Sequence, residues 1–255
     1  MFNILLCLSA DVLYNVMRYV CRNWYDIIQS PAFIYAHLQH QKSRAAGFLF
    51  QRFNYSRPLV HVHLGEMSSD VELRQLAFPF RGFAVSTCNG LVWLLDYSGR
   101  RHSWLVNPVT KQHLALPPFD HFLDMKSYYL QKRNCSLGYA ASSGVYKVVY
   151  YPPNSVACAI HTVGVDNNSW RPVSINISER GFTSSSSPYF YEPLTLGGFI
   201  YWLSNTLPFI LSLNVETEIF KQISIQQLLP QTAFGYIPCF NLFCNGEFPY
   251  PCDDE

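Results

Sequence analysis

Near the N-terminus the apolar positions Leu13, Val16, Met17, Val20, Trp24, Ile27 and Ile28 fall at steps of three and four, which places them on one helical stripe. The spacing predicts a helix over residues 11–28. Ser30 offers an N-cap and Pro31 a first helical position for a second short helix, with Ile34 and Leu38 on one face, ending near Lys42. Beyond Gly47 the pattern changes to short apolar runs rich in β-branched and aromatic residues, separated by Gly, Pro, Asn and Ser. Strands are predicted at 48–53, 59–64, 82–87, 91–96, 103–106, 113–116, 145–151, 156–165, 170–175, 199–203, 209–214 and 218–223. No long amphipathic helix follows residue 45, so the crossovers of a parallel sheet are missing and antiparallel meanders are expected.

An internal repeat organises these strands. Cys88 to Leu95 (CNGLVWLL) parallels Leu196 to Leu203 (LGGFIYWL), with Gly90 answering Gly198 at an offset of 108 residues. Downstream, Asn107-Pro-Val-Thr110 parallels Asn214-Val-Glu-Thr217 at an offset of 107. Between the copies, Leu137-Gly138-Tyr139 with Tyr146-Lys-Val-Val149 and Ser169-Trp170-Arg171 forms a related unit. Units of about 45 to 60 residues with roughly four strands match the blade of a β-propeller. The fold expected is mainly β: an incomplete propeller-like domain of three to four blades, preceded by two short helices. Residues 8–42 form the helical segment, 45–225 the β-domain and 231–255 an irregular tail. The three Pro of the tail, its acidic end and its lack of a strand period leave it without an obvious packing partner.

Composition narrows the picture. Hydrophobic residues make up 49% of 255 and charged residues 14%, which suits a large core. Eighteen Lys plus Arg balance 17 Asp plus Glu, so there is no large positive field to hold a nucleic-acid backbone, and no nucleic-acid partner is expected. Eight irregularly spaced Cys in a chain of this size read as reduced and mostly buried. The run Ile4 to Leu8 is preceded by no Lys or Arg, which argues against a secretory leader. The sequons at Asn54, Asn134, Asn167 and Asn176 would matter only in a secreted chain. No apolar stretch approaches the roughly 20 residues that cross a bilayer, so a membrane is not expected either.

Chemistry-bearing patterns are sparse. Gly90, Gly138 and Gly198 read as positions of positive φ or close strand approach, since no helix start or P-loop lysine follows them. Trp93, Trp104, Trp170 and Trp202 read as space-filling between blades. Cys239, Cys244 and Cys252 lack the paired motif that completes a zinc tetrahedron. His61 and His63 share one face of a strand, a geometry open to chelation or to simple exposure. Ser142-Ser143-Gly144 lacks the Gly-x-Ser-x-Gly frame of a nucleophile elbow. Neither catalysis, a cofactor nor a metal is expected.

The ordered set of motifs resembles plant F-box proteins with an F-box-associated domain. Leu8-Ser-Ala-Asp-Val-Leu13, Val20-Cys-Arg-Asn-Trp24, Ile27-Ile28, Ser30-Pro-Ala-Phe33 and His37-Leu38 are similar to a shortened F-box, with Ser9 where the family usually has Pro. CNGLVWL (88–94), WLVNPVTKQHLALPP (104–118), LGYAASSGVYKVV (137–149), SWRPV (169–173), GGFIYWL (197–203) and ILSLNVETEIF (210–220) are similar to the repeat signatures of the associated domain, in a C-terminally truncated form. The resemblance implies a non-catalytic, intracellular, cytoplasmic or nuclear subunit. Its F-box would dock on a Skp-class adaptor of a cullin ubiquitin ligase while its β-domain binds a target protein. The implied adaptor-binding residues are Leu8, Asp11, Leu13, Val20, Cys21 and Trp24. The same stripe can instead pack against the β-domain, which leaves an interaction protein without adaptor docking as the alternative.

Overall fold

A computed structural model of the chain describes residues 1–41, 46–50, 59–64, 71–76, 82–96, 102–118, 134–152, 155, 157–166, 169–175, 190–204 and 208–225. The chain divides into two compact units, Met1–Pro118 and Phe119–Glu255. The tail 231–255, with Cys239, Cys244 and Cys252, and the sequons at Asn54, Asn167 and Asn176 lie outside the described residues.

In the first unit four short helices come first: α1 (Phe2–Leu6), α2 (Ala10–Asn15), α3 (Arg22–Gln29) and α4 (Pro31–Gln41). The single helix expected over 11–28 is broken twice. Val16 leaves helical geometry (φ −126°, ψ −61°), a 3-10 turn covers Met17–Tyr19, and Cys21 is fully extended (φ −161°, ψ 164°) before α3 begins. The stripe is continuous in sequence, but Val16 and Val20 sit at the breaks and are 53% and 58% exposed. Spacing cannot report that Leu13 and Ile28 are buried with Phe33 in one cluster, which a straight helix would hold apart. Ile4, Leu5 and Leu6 of the apolar run read against a secretory leader lie in α1, with Leu5 fully buried.

The helical caps follow from side chains close by. Ser9 is extended and accepts a hydrogen bond from the Val12 amide at 3.4 Å, capping α2. As predicted, Ser30 caps α4: its Oγ accepts from the Phe33 amide at 3.2 Å. The same hydroxyl donates to the Ile27 carbonyl at 2.8 Å and so satisfies the end of α3 as well.

Among the described residues the strands make four antiparallel meanders, an incomplete propeller-like domain. β1 (Ala46–Phe50), β2 (Leu59–Leu64) and β3 (Val71–Leu76) form a three-stranded sheet in order β1-β2-β3. β4 (Phe83–Cys88), β5 (Leu91–Leu95), β6 (Ser103–Val106) and β7 (His113–Leu116) form a four-stranded blade. In the second unit β8 (Cys135–Ala140), β9 (Val145–Tyr150), β10 (Ala157–Thr162) and β11 (Arg171–Ser174) form another. β12 (Leu194–Leu196), β13 (Phe199–Leu203), β14 (Phe209–Asn214) and β15 (Phe220–Ser224) form a further one. Twelve of these strands were predicted. β3, β8 and β12 were not: β3 carries Glu72, Arg74 and Gln75, β8 is interrupted by Ser136 and Gly138, and β12 has three residues. Such segments carry too few apolar residues in a row to register as strands.

Both copies of the repeat are the same local structure. Asn89 and Gly90 have φ of 49° and 80°, and Gly197 and Gly198 have 60° and 83°. Two consecutive positive φ values give the tight hairpins Cys88–Leu91 and Leu196–Phe199 the twist their strands require. Downstream, Asn107 Oδ1 accepts from the amides of Val109 and Thr110 at 3.0 and 3.1 Å, and Asn214 Oδ1 from those of Glu216 and Thr217 at 2.9 and 3.0 Å. Each turn closes with a residue of positive φ, Lys111 at 62° and Glu218 at 59°.

Candidate docking segment and the interface between blades

The helices of the first unit make a small core of their own. Leu5, Leu13, Ile28 and Phe33 are buried together, with Leu6, Leu8, Met17, Trp24 and Ile27 packed around them. Phe33 meets Phe2 edge-on at 5.1 Å and stacks on His37 at 5.8 Å. The Nε2–H of His37 donates to the Leu8 carbonyl at 2.8 Å, tying α4 to the link between α1 and α2.

Of the six residues implied for adaptor binding, three gather in this cluster: Leu13 is buried, while Leu8 and Trp24 are half-buried. Asp11 is half-buried and its Oδ1 accepts from Asn15 Nδ2 at 2.8 Å within α2. Val20 and Cys21 face solvent in the link before α3. Next to them Val16 and Tyr19 are exposed, and the Arg18 guanidinium lies 3.6 Å over the Tyr14 ring and 4.6 Å over that of Tyr19. Sequence reasoning missed Leu5 as part of this segment, and it placed Phe33 and His37 in the segment without their packing roles. Leu5 lies in the apolar run Ile4 to Leu8, which in the sequence reads only as a question of a leader.

The second unit is centred on the interface between its two blades. β8 runs against β12 and β13. Val149, Tyr151, Cys158 and Ile160 of one blade bury against Ile200, Trp202, Leu211, Leu213 and Phe220 of the other. Ser136 Oγ and Thr195 Oγ1 lie 3.0 Å apart across the junction, and the Thr195 hydroxyl also reaches the Leu137 carbonyl at 3.1 Å. Gly138 fulfils its reading as a site of close approach: a Cβ there would stand 2.6 Å from Val215 Cγ2. Trp93 and Trp202 are fully buried, Trp104 and Trp170 half-buried. Counting from Gly90 and Gly198, Trp202 corresponds to Leu94 rather than to Trp93. A one-residue shift places a strand residue on the opposite face, so the two buried tryptophans serve different faces of their blades.

One edge of this interface is ionic. Lys147 of β9 is buried, and its ammonium donates to the carbonyls of Val215 at 2.7 Å and Glu216 at 3.3 Å and pairs with Glu218 Oε1 at 2.7 Å. Arg171 of β11 presents both terminal nitrogens to the two oxygens of Glu218, and its Nε lies 3.4 Å from Asp166. Asp166 in turn accepts from the Thr162 amide at 2.6 Å. The Glu216 carboxylate receives the amides of Ser142 and Ser143 at 3.0 and 3.1 Å. Burial opposes the ionisation of Glu218, but the hydrogen bonds and charges of Arg171 and Lys147 hold its carboxyl below the usual carboxylate range. The Glu218 hydrogen bond in turn raises Arg171. Lys147 stood in the sequence as a lone cation inside the apolar run of β9, a signal of a partnered buried charge that was passed over.

Among the described residues no three His, Cys, Asp or Glu converge as metal ligands. His61 and His63 both lie in β2. Burial raises the Cys135 thiol well above its ordinary value and pushes Cys158 up to about 12, which leaves both without thiolate character. Asn134 of the NCS sequon is buried. Among the described residues no helix is long and apolar enough to cross a membrane.

Residues 41–236 match the profile of the F-box associated beta propeller domain, which covers the three-stranded sheet and all three blades. The chain belongs to the F-box-associated β-propeller family. Two curated Arabidopsis thaliana proteins are similar to it. One, named an F-box/LRR-repeat/kelch-repeat protein, is 24% identical over 213 residues, 82% of this chain and 54% of its own length. The other, provisionally named F-box only protein 15, is 23% identical over 239 residues, 89% of this chain and 58% of its own length. The chain thus spans a little over half the length of the curated relatives it matches. A solved post-proline cleaving enzyme from Rickettsia typhi overlaps 72% of this chain and 27% of its own at 12% identity and a TM-score of 0.34, too low to bear on fold or activity.

Proposed function

We propose that this F-box-associated β-propeller chain is a non-catalytic substrate-recognition subunit of a Skp-cullin-F-box type ubiquitin ligase, acting inside the cell. Residues 8–42 would dock on a Skp-class adaptor and the β-domain, 45–225, would bind the target protein. The observation that carries this reading is the match over 41–236 to a domain named for its association with the F-box, directly preceded by helices that pack around their own apolar cluster. The contribution to ubiquitin transfer would be proximity, holding a target beside a ligase while the bond-making groups reside in partners.

Leu13 is committed to the internal cluster and Leu8, Asp11 and Trp24 are half-buried, so Val20 and Cys21 are the parts of the implied set most open to a partner. Calorimetry of the full chain with a Skp-class adaptor tests this, beside the variant Val20→Asp. The expected result is saturable binding by the parent chain and a loss of about thirtyfold in the variant, the effect of removing one hydrophobic anchor worth roughly 2 kcal/mol. No binding by the parent would leave the alternative, an interaction protein that has lost adaptor docking.

A further inference from the structure

We propose that Lys147 and Arg171 form a charge-reading surface on the β8–β11 blade that accepts the β12–β15 blade and rejects the turn of the β4–β7 blade. The two copies of the repeat offer nearly the same key. The turn after β6 and the turn after β14 share the Asn side-chain cap. They also share the hydrogen bond from the fifth residue back to the Asn carbonyl, Lys111 to Asn107 at 3.0 Å and Glu218 to Asn214 at 2.8 Å. Both pair the Asn amide with the sixth residue, Gln112 at 2.9 Å and Ile219 at 3.1 Å. Backbone conformation therefore cannot tell the two turns apart.

The side chains can. At the closing position one turn carries Glu218 and the other Lys111. Glu218 lies between two cations of the neighbouring blade, both within contact of its carboxylate. A lysine in its place would set a third positive charge against Lys147, which is only 8% exposed at its side chain, where solvent screens little. Shape adds to charge at the second position. Val215 fills the space left by the missing side chain of Gly138, and its amide donates to the Gly198 carbonyl at 2.9 Å. The corresponding residue of the other turn is Pro108, whose ring is not the shape of the valine side chain that fills this gap.

Blades built on one repeat face the problem of stacking in the wrong order, and a like-charge clash at an otherwise equivalent contact is how such alternatives are excluded. Lys111 supplies a built-in control, because its φ of 62° shows that a lysine adopts the backbone conformation of this turn position.

The test is a mutant cycle on the full chain, read by denaturant unfolding. The unfolding constants of Glu218→Lys and Glu218→Gln are compared in the parent and in an Arg171→Gln background. The lysine variant should unfold with a constant at least about tenfold larger than the glutamine variant in the parent, and this excess should shrink several-fold once Arg171 is neutral, as a direct charge coupling requires. Equal excess in both backgrounds, or no excess in the parent, overturns the proposal. If Glu218→Lys fails to fold in the parent, folding of the same substitution in an Arg171→Gln, Lys147→Met background supports the proposal, and failure there overturns it.

Discussion

The turn Asn107–Lys111 and the turn Asn214–Glu218 are one backbone with two electrostatic identities. Their caps, closing hydrogen bonds and positive φ values agree within a few degrees or tenths of an ångström. The first closes on an exposed lysine and the second on a glutamate held by two cations of the next blade. Local conformation is set by residues inside the turn, Asn above all. Which surface the turn meets is set by a residue the backbone treats as interchangeable.

The largest expected effect breaks the second turn's fit without touching its charge. Gly138→Ala would place a Cβ against Val215 and cost about 2 kcal/mol of unfolding free energy, within the range for overpacked cores. Val215→Ala in the same chain should recover part of it. An unchanged denaturation midpoint for Gly138→Ala would mean the interface is looser than these distances show.

A smaller effect isolates the charge. Because the folded-state Glu218 carboxyl sits below its ordinary range, its ionised form stabilises the fold at neutral pH, and that contribution disappears as pH falls through the folded-state value. The stability gap between the parent and Glu218→Gln should therefore be widest near neutrality and close on acidification. A gap constant from neutral to acid pH would show that Glu218 acts by shape alone.

The smallest effect tests the equivalence itself. A Cβ at Gly90 meets nothing within 4 Å, and at Gly198 only the Tyr139 carbonyl at 4.0 Å, so alanine at either costs chiefly its unfavourable positive φ, about 1 kcal/mol. Thermal or denaturant unfolding should give the two variants similar losses. Losses differing by more than twofold would separate the hairpins despite their shared geometry.

Much of the blade architecture was legible because its signals are local. The two hairpin glycines and the two Asn turns announce themselves at fixed offsets, and strands such as β6, β13 and β14 carry enough consecutive apolar residues to be bounded to the residue. The helical segment was legible as helical but not as broken, since Val16 and Val20 continue a stripe that the chain abandons to bring Leu13 and Ile28 onto Phe33. The candidate docking residues were recognisable as a motif. Only packing separated Leu13, spent on the internal cluster, from Val20 and Cys21, which face solvent.

The sequence by itself determined the class of fold, the repeat and its turns, because hydrophobic period, glycine at positive φ and Asn capping act over a few residues. Tertiary structure alone decided that Lys147, Arg171 and Glu218, up to 71 residues apart, meet in one ionic contact, and that Gly138 makes room for Val215. Those are contacts between blades, and the energy of a half-buried charge or a missing Cβ depends on what the neighbouring blade places there, which no local pattern encodes.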